Sequence, residues 1–315
     1  MHIKEICILG GSGFVGSAIV AKLSKAGYSV KVLTRRRENA KHLFLLPKVQ
    51  VLECNVLDYQ ALNGALIGAD AVINLLGILH QSRRATFDAI HHQFPAQLAK
   101  ICKDLNIKRL LHMSSLRAGK NAPSQYLRSK GAGELAILSH QDELNITIFK
   151  PSIIIGRGDS FINLFASLVK LLPVVMLAKP NAKFQPIWVE DVASCFLACL
   201  ANQASYGQTY ELAGPKVYTF RELVQAVMNT LQLQRPIIGL GDGLSYAQAF
   251  MMEMLPIKLM SRDNIRSMEV DSVSEQAFPV IFNLTPTALE TLIPQYLIDQ
   301  TPRGAYDRFR RTAAR

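Results

Sequence analysis

Tyr126 and Lys130 stand four residues apart in the run Ser124-Gln125-Tyr126-Leu127-Arg128-Ser129-Lys130. On a helix that spacing puts both on one face. An ammonium beside a phenol favours the phenolate, so Lys130 is expected to lower the Tyr126 pKa and make it a proton donor or acceptor near neutral pH. Ser114 and Ser115 come shortly before the pair. A Ser115 hydroxyl beside the phenol would polarise a carbonyl or hydroxyl of a small molecule. A Tyr-x-x-x-Lys spacing arises by chance on many exposed helices. Here the serine pair and a predicted strand precede it, which lifts it above chance. The alternative is a constellation that only holds a cofactor and turns nothing over.

A second cluster suits phosphate. Gly10-Gly11-Ser12-Gly13-Phe14-Val15-Gly16 follows an apolar strand directly and opens a helix, the context that makes a glycine pattern informative. Gly10 permits a tight turn. Gly13 lets backbone come close to a pyrophosphate, and Gly16 lets the helix pack on the strand. The free N–H groups of the helix start, Ser12 to Val15 among them, then face the anion. A glycine-rich turn without a ligand is the competing reading.

These residues need elements to position them. Short apolar runs at Glu5–Leu9, Ser29–Thr34, Val49–Glu53, Ala71–Leu76, Arg109–Met113 and Ile146–Lys150 predict strands. Helices are predicted between them, at about 15–26, 59–66, 87–105 and 127–139. Alternation of this kind demands parallel pairing and gives an α/β doubly wound Rossmann fold. After Pro151 the rhythm changes. Residues 161–172 carry a helical stripe, 187–189 and 209–212 read as short strands, and 192–200 as a helix. Thr219 with Glu222 reads as a capping box opening a helix to about Leu231. The division expected is 1–150 as the dinucleotide-binding domain, 151–302 as a smaller mixed substrate lobe with segments returning to the Rossmann sheet, and 303–315 as a basic tail.

Composition narrows the partners. The chain has 35 basic and 24 acidic residues, a net +11, which favours an anionic partner. No zinc finger, basic arm or aromatic RNA-binding strand is present, so nucleic acid is not expected. The five cysteines form no Cys-x-x-Cys pair and lie mostly in apolar runs, as in a reducing compartment. Neither a leader peptide nor a membrane span is expected, which places the protein in the cytoplasm. Two apolar stripes, Phe161–Leu177 and Phe250–Met260, lie near Lys170, Lys179, Lys183 and Lys258. They are either core or a face for peripheral attachment to the inner side of a membrane.

The glycine spacing, with the serine pair and Tyr-x-x-x-Lys, resembles the short-chain dehydrogenase/reductase superfamily. Further runs resemble its atypical extended branch, the NAD-dependent epimerase/dehydratase group. They are His112-Met113-Ser114-Ser115-Leu116, Ser124 to Lys130 with Glu134 beyond, Gly156-Arg157-Gly158-Asp159-Ser160-Phe161 and Gln185-Pro186-Ile187-Trp188-Val189-Glu190-Asp191. Within that branch the pattern is similar to bacterial relatives of the Rossmann-type accessory subunit of respiratory complex I. The resemblance implies that Ser115, Tyr126 and Lys130 are catalytic, with Lys130 also on the nicotinamide ribose. It implies a cofactor bed of Gly10, Ser12, Gly13, Phe14, Val15, Gly16, Thr34, Arg35, Arg36, Asn55, Val56, Leu75, Leu76, Gly77, Ser114, Tyr126, Lys130, Lys150, Pro151, Ser152 and Ile153.

The departures from the family carry information. The family's ribose-binding Asp at the end of the second strand is absent. Thr34 stands there, followed by Arg35-Arg36-Arg37, whose guanidinium groups suit a 2′-phosphate. NADP(H) is therefore expected, with NAD(H) the alternative. Asn55 replaces the Asp that meets the adenine amino group. An Asn in the helix after strand four falls at about His92, where a packed or solvated histidine is expected. The stretch from Ser115 to Tyr126 is short beside that of sugar epimerases, which weakens a nucleotide-sugar reading. The function implied is an NADP(H)-dependent oxidoreductase on an apolar carbonyl or alcohol, quinone- or lipid-related. A non-catalytic NADPH-binding scaffold of a membrane or respiratory complex is the main alternative, with a redox sensor as a third reading.

Overall fold

The structure is a computed structural model and describes residues 3–82, 85–254 and 260–297. It divides into two units. Among the described residues, the first takes those up to Pro151 together with Val189–Leu212 and Gln276–Leu284, and the second takes those in Ser152–Trp188, Ala213–Glu275 and 285–297. The expected basic tail, residues 303–315, lies outside the described residues, as does Lys258.

The first unit is a seven-stranded, wholly parallel sheet. Its elements are β1 (Glu5–Leu9), α1 (Phe14–Lys25), β2 (Ser29–Thr34), β3 (Val49–Glu53), α2 (Tyr59–Leu66), β4 (Ala71–Asn74), α3 (Phe94–Asp104), β5 (Arg109–Met113), α4 (Gln125–Leu138), β6 (Asn145–Pro151), α5 (Val189–Leu200) and β7 (Gln208–Leu212). The strand order is β3-β2-β1-β4-β5-β6-β7. β1 and β4 are apolar and buried almost throughout, as parallel strands covered on both faces must be. Cys7, Leu9, Val72, Leu110, Ile146 and Ile148 pack with α2, α3 and Ile137 of α4. α1 packs against α5.

The order reverses between β1 and β4. Leu9 pairs with both Leu33 and Asn74, so the glycine turn and the ends of β2 and β4 leave the sheet side by side. That is the crevice in which doubly wound folds bind ligands. The helix predicted at 87–105 contains a π-turn over Ala89–Gln93 before α3 proper. The strand predicted at 187–189 stops at Trp188, because Val189 already opens α5.

Arg109 is fully buried at the start of β5. It donates to the carbonyls of Asn145, Cys199 and Leu200, to Thr147 Oγ1 and to Ser205 Oγ. Its guanidinium also lies 4.7 Å from the centroid of the Tyr206 ring. Burial lowers its pKa to about 10. No carboxylate offsets this charge in these contacts. The carbonyl cage replaces water as its solvation, and it ties the end of α5 and the approach to β7 to the sheet.

The second unit is mixed. Helix Ile162–Leu171 packs on helix Phe220–Thr230, whose Thr219–Glu222 capping box is formed as expected. Strands Val175–Ala178 and Ile237–Leu240 pair in parallel, and helix Asp242–Glu253 lies against them. Ile162, Ala166 and Val169 are core, whereas Leu171, Met176, Leu244, Phe250, Met251 and Met254 are exposed. The first apolar stripe is thus part core and part surface, and the described residues of the second are exposed or half-buried. Among the described residues no helix is long and apolar enough to cross a membrane, and no acidic, histidine or cysteine cluster could hold a metal ion. All five cysteines are buried and unpaired.

Arg109→Ala leaves several buried carbonyls without donors and opens a cavity. The expected loss of unfolding free energy is at least about 3 kcal/mol, read as a lower urea midpoint at unchanged m. An unchanged midpoint would mean that water replaces the guanidinium.

Candidate functional site

The glycine turn has the backbone its sequence demands. Gly10 sits at φ +81°, closed by a 3.1 Å bond from Gly13 N–H to the Gly10 carbonyl. A Cβ at Gly16 would lie 2.2 Å from the Gly10 carbonyl oxygen and 2.6 Å from Gly11 Cα. Gly16 therefore packs α1 onto the turn rather than onto the strand. At Gly13 a Cβ would meet only the Gly10 carbonyl, at 3.3 Å, so the protein itself barely requires glycine there. α1 starts without a side-chain cap and without an acidic residue in its first turn. Its N–H groups and dipole are left to an external anion.

The end of β2 completes this bed. Ser12 Oγ donates to Thr34 Oγ1 (3.4 Å), and Thr34 Oγ1 donates to the Arg36 carbonyl (3.1 Å). Arg35 and Arg36 are exposed, with no ion pair among the described residues. Arg37 is spent locally. Its N–H donates to Glu53 and its guanidinium covers the Phe44 ring at 5.2 Å. Asn55 is exposed beside buried Val56, and its Oδ1 accepts from Leu57 N–H at 3.3 Å.

The chain after β4 runs toward α4. Asn74 is buried, accepts from Leu76 N–H and donates to His112 Nδ1 at 3.1 Å. Leu75 is buried, Leu76 half-buried and Gly77 exposed. A Cβ at Gly77 would lie 3.2 Å from Lys130 Nζ, so the loop passes directly over the amine. Lys130 Nζ donates to the Met113 carbonyl at 3.2 Å. The Tyr126 and Ser115 hydroxyls share a hydrogen bond. Ser124 caps α4 through Leu127 N–H and so fixes the first turn that carries Tyr126. The structure thus brings Ser115, Tyr126, Lys130 and Gly77 together.

The electrostatics differ from the expectation for Tyr126. Burial pushes its phenol above the ordinary range, opposed by the Ser115 hydrogen bond, and Lys130 contributes no resolved lowering. Lys130 is itself pulled down to about 8 by burial, against the attraction of Glu134.

Below this centre lies a group that spacing alone did not single out. Ser114 Oγ donates a hydrogen bond to Glu134. Lys150 Nζ donates to the other Glu134 oxygen at 3.0 Å and to the Ala118 carbonyl at 3.1 Å. Lys150 is therefore committed to holding the Ser114–Ala118 loop against α4. The Pro151 carbonyl accepts from Leu116 N–H. Ser152 and Ile153 fall in the second unit. Ser152 Oγ is held by Ser272, and the Ile153 carbonyl accepts from Ile187 N–H.

His91, not His92, is the inward histidine. His92 is half-buried and pairs with Asp88 at 2.8 Å. His91 is buried, stacked on Phe87 and edge-on to Tyr126 with centroids 5.4 Å apart. Sequence spacing missed it because a π-turn adds a residue to the helical repeat and shifts the inward face by one position. The traceable signals were Gly131 and Gly133. A Cβ at Gly133 would lie 1.9 Å from the His91 carbonyl oxygen, and one at Gly131 2.6 Å from Gly119 backbone.

This bed fits a dinucleotide. It offers an uncapped helix start behind a glycine turn, a glycine loop close over the Lys130 amine and two arginines without an ion pair among the described residues. Residues 6–213 match the family described as "NAD dependent epimerase/dehydratase family". The chain belongs to that family. It is 31% identical to NADH dehydrogenase (ubiquinone) 1 alpha subcomplex subunit 9, mitochondrial, of Arabidopsis thaliana, covering 94% of this chain and 78% of that protein. The protein of the same name in Mus musculus is 30% identical over 70% of this chain, which spans only 59% of it. A ceramide reductase of Caulobacter vibrioides is 27% identical, over 75% of this chain and 74% of that one. Among solved structures, dTDP-glucose 4,6-dehydratase of Bacillus anthracis, in complex with NAD, aligns with TM-score 0.69 at 16% identity, covering 93% of this chain and 95% of that one. A UDP-N-acetylglucosamine 4-epimerase of Methanobrevibacter ruminantium gives 0.72 at 17%, covering 96% and 100%. At such identities the family likeness to sugar-nucleotide enzymes is one of fold alone.

Burial holds the His91 pKa down to about 3, with Lys130 adding to the effect, and holds His112 well below its ordinary value. In unfolded chain both titrate near 6.5. Between these limits the folded state binds fewer protons, so stability is lost as pH falls below about 6.5, by up to ~1.4 kcal/mol per pH unit for each histidine. His91→Gln is expected to remove one histidine's share of that slope between about pH 6.5 and 5 in urea titrations. The same slope in variant and wild type would show that His91 protonates freely in the folded state.

Proposed function

We propose that this protein binds NADP(H) in its first unit and reduces or oxidises an apolar carbonyl or alcohol there. The observation that carries the reading is the Tyr126–Ser115 hydrogen bond with Lys130 one helical turn along, beneath the loop at Gly77. The dinucleotide, when bound, supplies or accepts hydride at the substrate carbon. Ser115 orients and polarises the substrate oxygen. Tyr126 gives that oxygen its proton on reduction. A phenol held above its ordinary pKa keeps its proton until a developing alkoxide takes it, which suits the reductive direction. Lys130, in its charged form, stabilises the phenolate left behind. A relative named a ceramide reductase supports a lipid-class substrate. The family's defining dependence on NAD is the coarser reading, and the preference for NADP(H) is ours, drawn from Arg35 and Arg36.

A second reading also has support. Relatives named as complex I subunits, together with exposed Leu244, Phe250, Met251 and Met254 on one helix region, support a nucleotide-holding role in a membrane-associated assembly. Purified protein carrying NADPH that no carbonyl substrate oxidises is the result expected of that role.

Replacing Arg35 and Arg36 together by Ala should weaken NADPH at least about tenfold, since each charged hydrogen bond to a 2′-phosphate is worth about 1.5–3 kcal/mol. NADH binding should barely change. Calorimetric titration reads both, and equal losses for the two nucleotides refute the preference. Tyr126→Phe should abolish reduction of aliphatic ketone or acyl-sphingoid test substrates while NADPH affinity stays near wild type. Retained turnover removes Tyr126 from the chemistry.

A further inference from the structure

His91 lies outside every role assigned above, yet its ring touches three segments of the site. Ile78 N–H donates to Nε2 at 2.9 Å. That nitrogen is thus the acceptor, and the proton of the neutral ring sits on Nδ1. Nδ1–H then donates to Ser129 Oγ at 2.9 Å, and Ser129 Oγ donates onward to the Tyr126 carbonyl at 2.8 Å. The ring face stacks on Phe87, and Tyr126 meets it edge-on at 85°. A continuous path therefore runs from the loop after β4, through the imidazole, to the backbone and ring of Tyr126.

Two further features fix the ring itself. The π-turn turns position 91 inward, and Gly133 lets α4 approach the His91 carbonyl more closely than any side chain would allow. Gln81 adds a parallel tie, accepting from Phe87 N–H and donating to Gln125 at the start of α4. The loop and helix so joined are the ones that bring Gly77 over the Lys130 amine.

We propose that His91 is a positioning residue that locks the Gly77–Ile78 loop to Tyr126 and so sets where the nicotinamide half of the dinucleotide lies. The inference rests on the dinucleotide reading above. His91 touches neither the glycine turn nor Arg35 and Arg36 in these contacts, so its influence falls on one half of the ligand. A merely structural residue would affect both halves alike.

The test compares NADPH with 2′,5′-ADP, which keeps the adenosine and 2′-phosphate but lacks the nicotinamide. His91→Leu removes both ring hydrogen bonds while filling similar space. It should weaken NADPH at least about tenfold, reduce the fluorescence enhancement of bound NADPH and leave 2′,5′-ADP binding unchanged. His91→Gln can still accept from Ile78 N–H and should restore NADPH binding to within about threefold of wild type. It also keeps the test open if the leucine variant fails to fold. Equal loss of both probes, or loss of neither, in the leucine variant overturns the positioning role, as does a loss of NADPH binding well beyond about threefold in the glutamine variant. Wild-type protein that binds neither probe overturns the dinucleotide reading and the positioning role with it.

Discussion

Helix α4 can lie where it does only because two of its residues have no side chain. Gly131 rests on the backbone of Gly119, and Gly133 on the carbonyl of His91. Both contacts are closer than any Cβ allows, so a single methyl group at either position would push the helix off its neighbours. The Ser115, Tyr126 and Lys130 end of the site hangs from that approach. Tyr126 meets Ser115, Lys130 reaches the Met113 carbonyl under Gly77, and Glu134 joins Ser114 to Lys150. The hydrogen-bonded groups around α4 hold the segments in register, but the glycine contacts decide that those segments are near enough to be held.

The same closeness governs protonation. Groups drawn into the space between α4, the π-turn and the end of β5 lose water before they gain charged partners. Burial then favours the uncharged form of each, raising the phenol of Tyr126 and lowering Lys130, His91 and His112. Glu134 and Lys150, in the same region, lie 3.0 Å apart as an ion pair. The contrast with Arg35 and Arg36 is physical. They stand in water at the mouth of the crevice and stay free to meet an anion. One end of the site is thus a solvated cationic mouth, and the other a desolvated floor in which protons stay where hydrogen bonds put them.

Periodicity and turn chemistry made most of the first unit legible. All seven of its strands were expected with ends at or within two residues of the observed ones, and the central strands are buried on both faces, which leaves little room for polar residues. The glycine turn, the Thr219–Glu222 capping box and the Tyr-x-x-x-Lys face are local rules read directly from residue types. The missing Asp and the three arginines after β2 were equally plain. Their unequal standing was not, since only the fold shows Arg37 covering Phe44. The sequence between residues 236 and 298 resisted reading. Its elements are short, and strand Ile237–Leu240 finds its partner about sixty residues back, at Val175–Ala178.

Sequence by itself determined which chemical groups this protein has and which helix or strand carries each of them. It did so because helical and strand repeats are set by neighbours a few residues away. Tertiary structure decided which groups meet. A π-turn exchanged His92 for His91, because one extra residue in a turn rotates every later side chain. Packing turned Lys150 and Glu134 from entries in a family pattern into a buried pair that holds the serine loop. It also turned the expected lowering of the Tyr126 pKa into a rise, because loss of water outweighs the Ser115 hydrogen bond. Spacing along a chain fixes direction, whereas distance from water is fixed only when segments far apart in sequence close over one another.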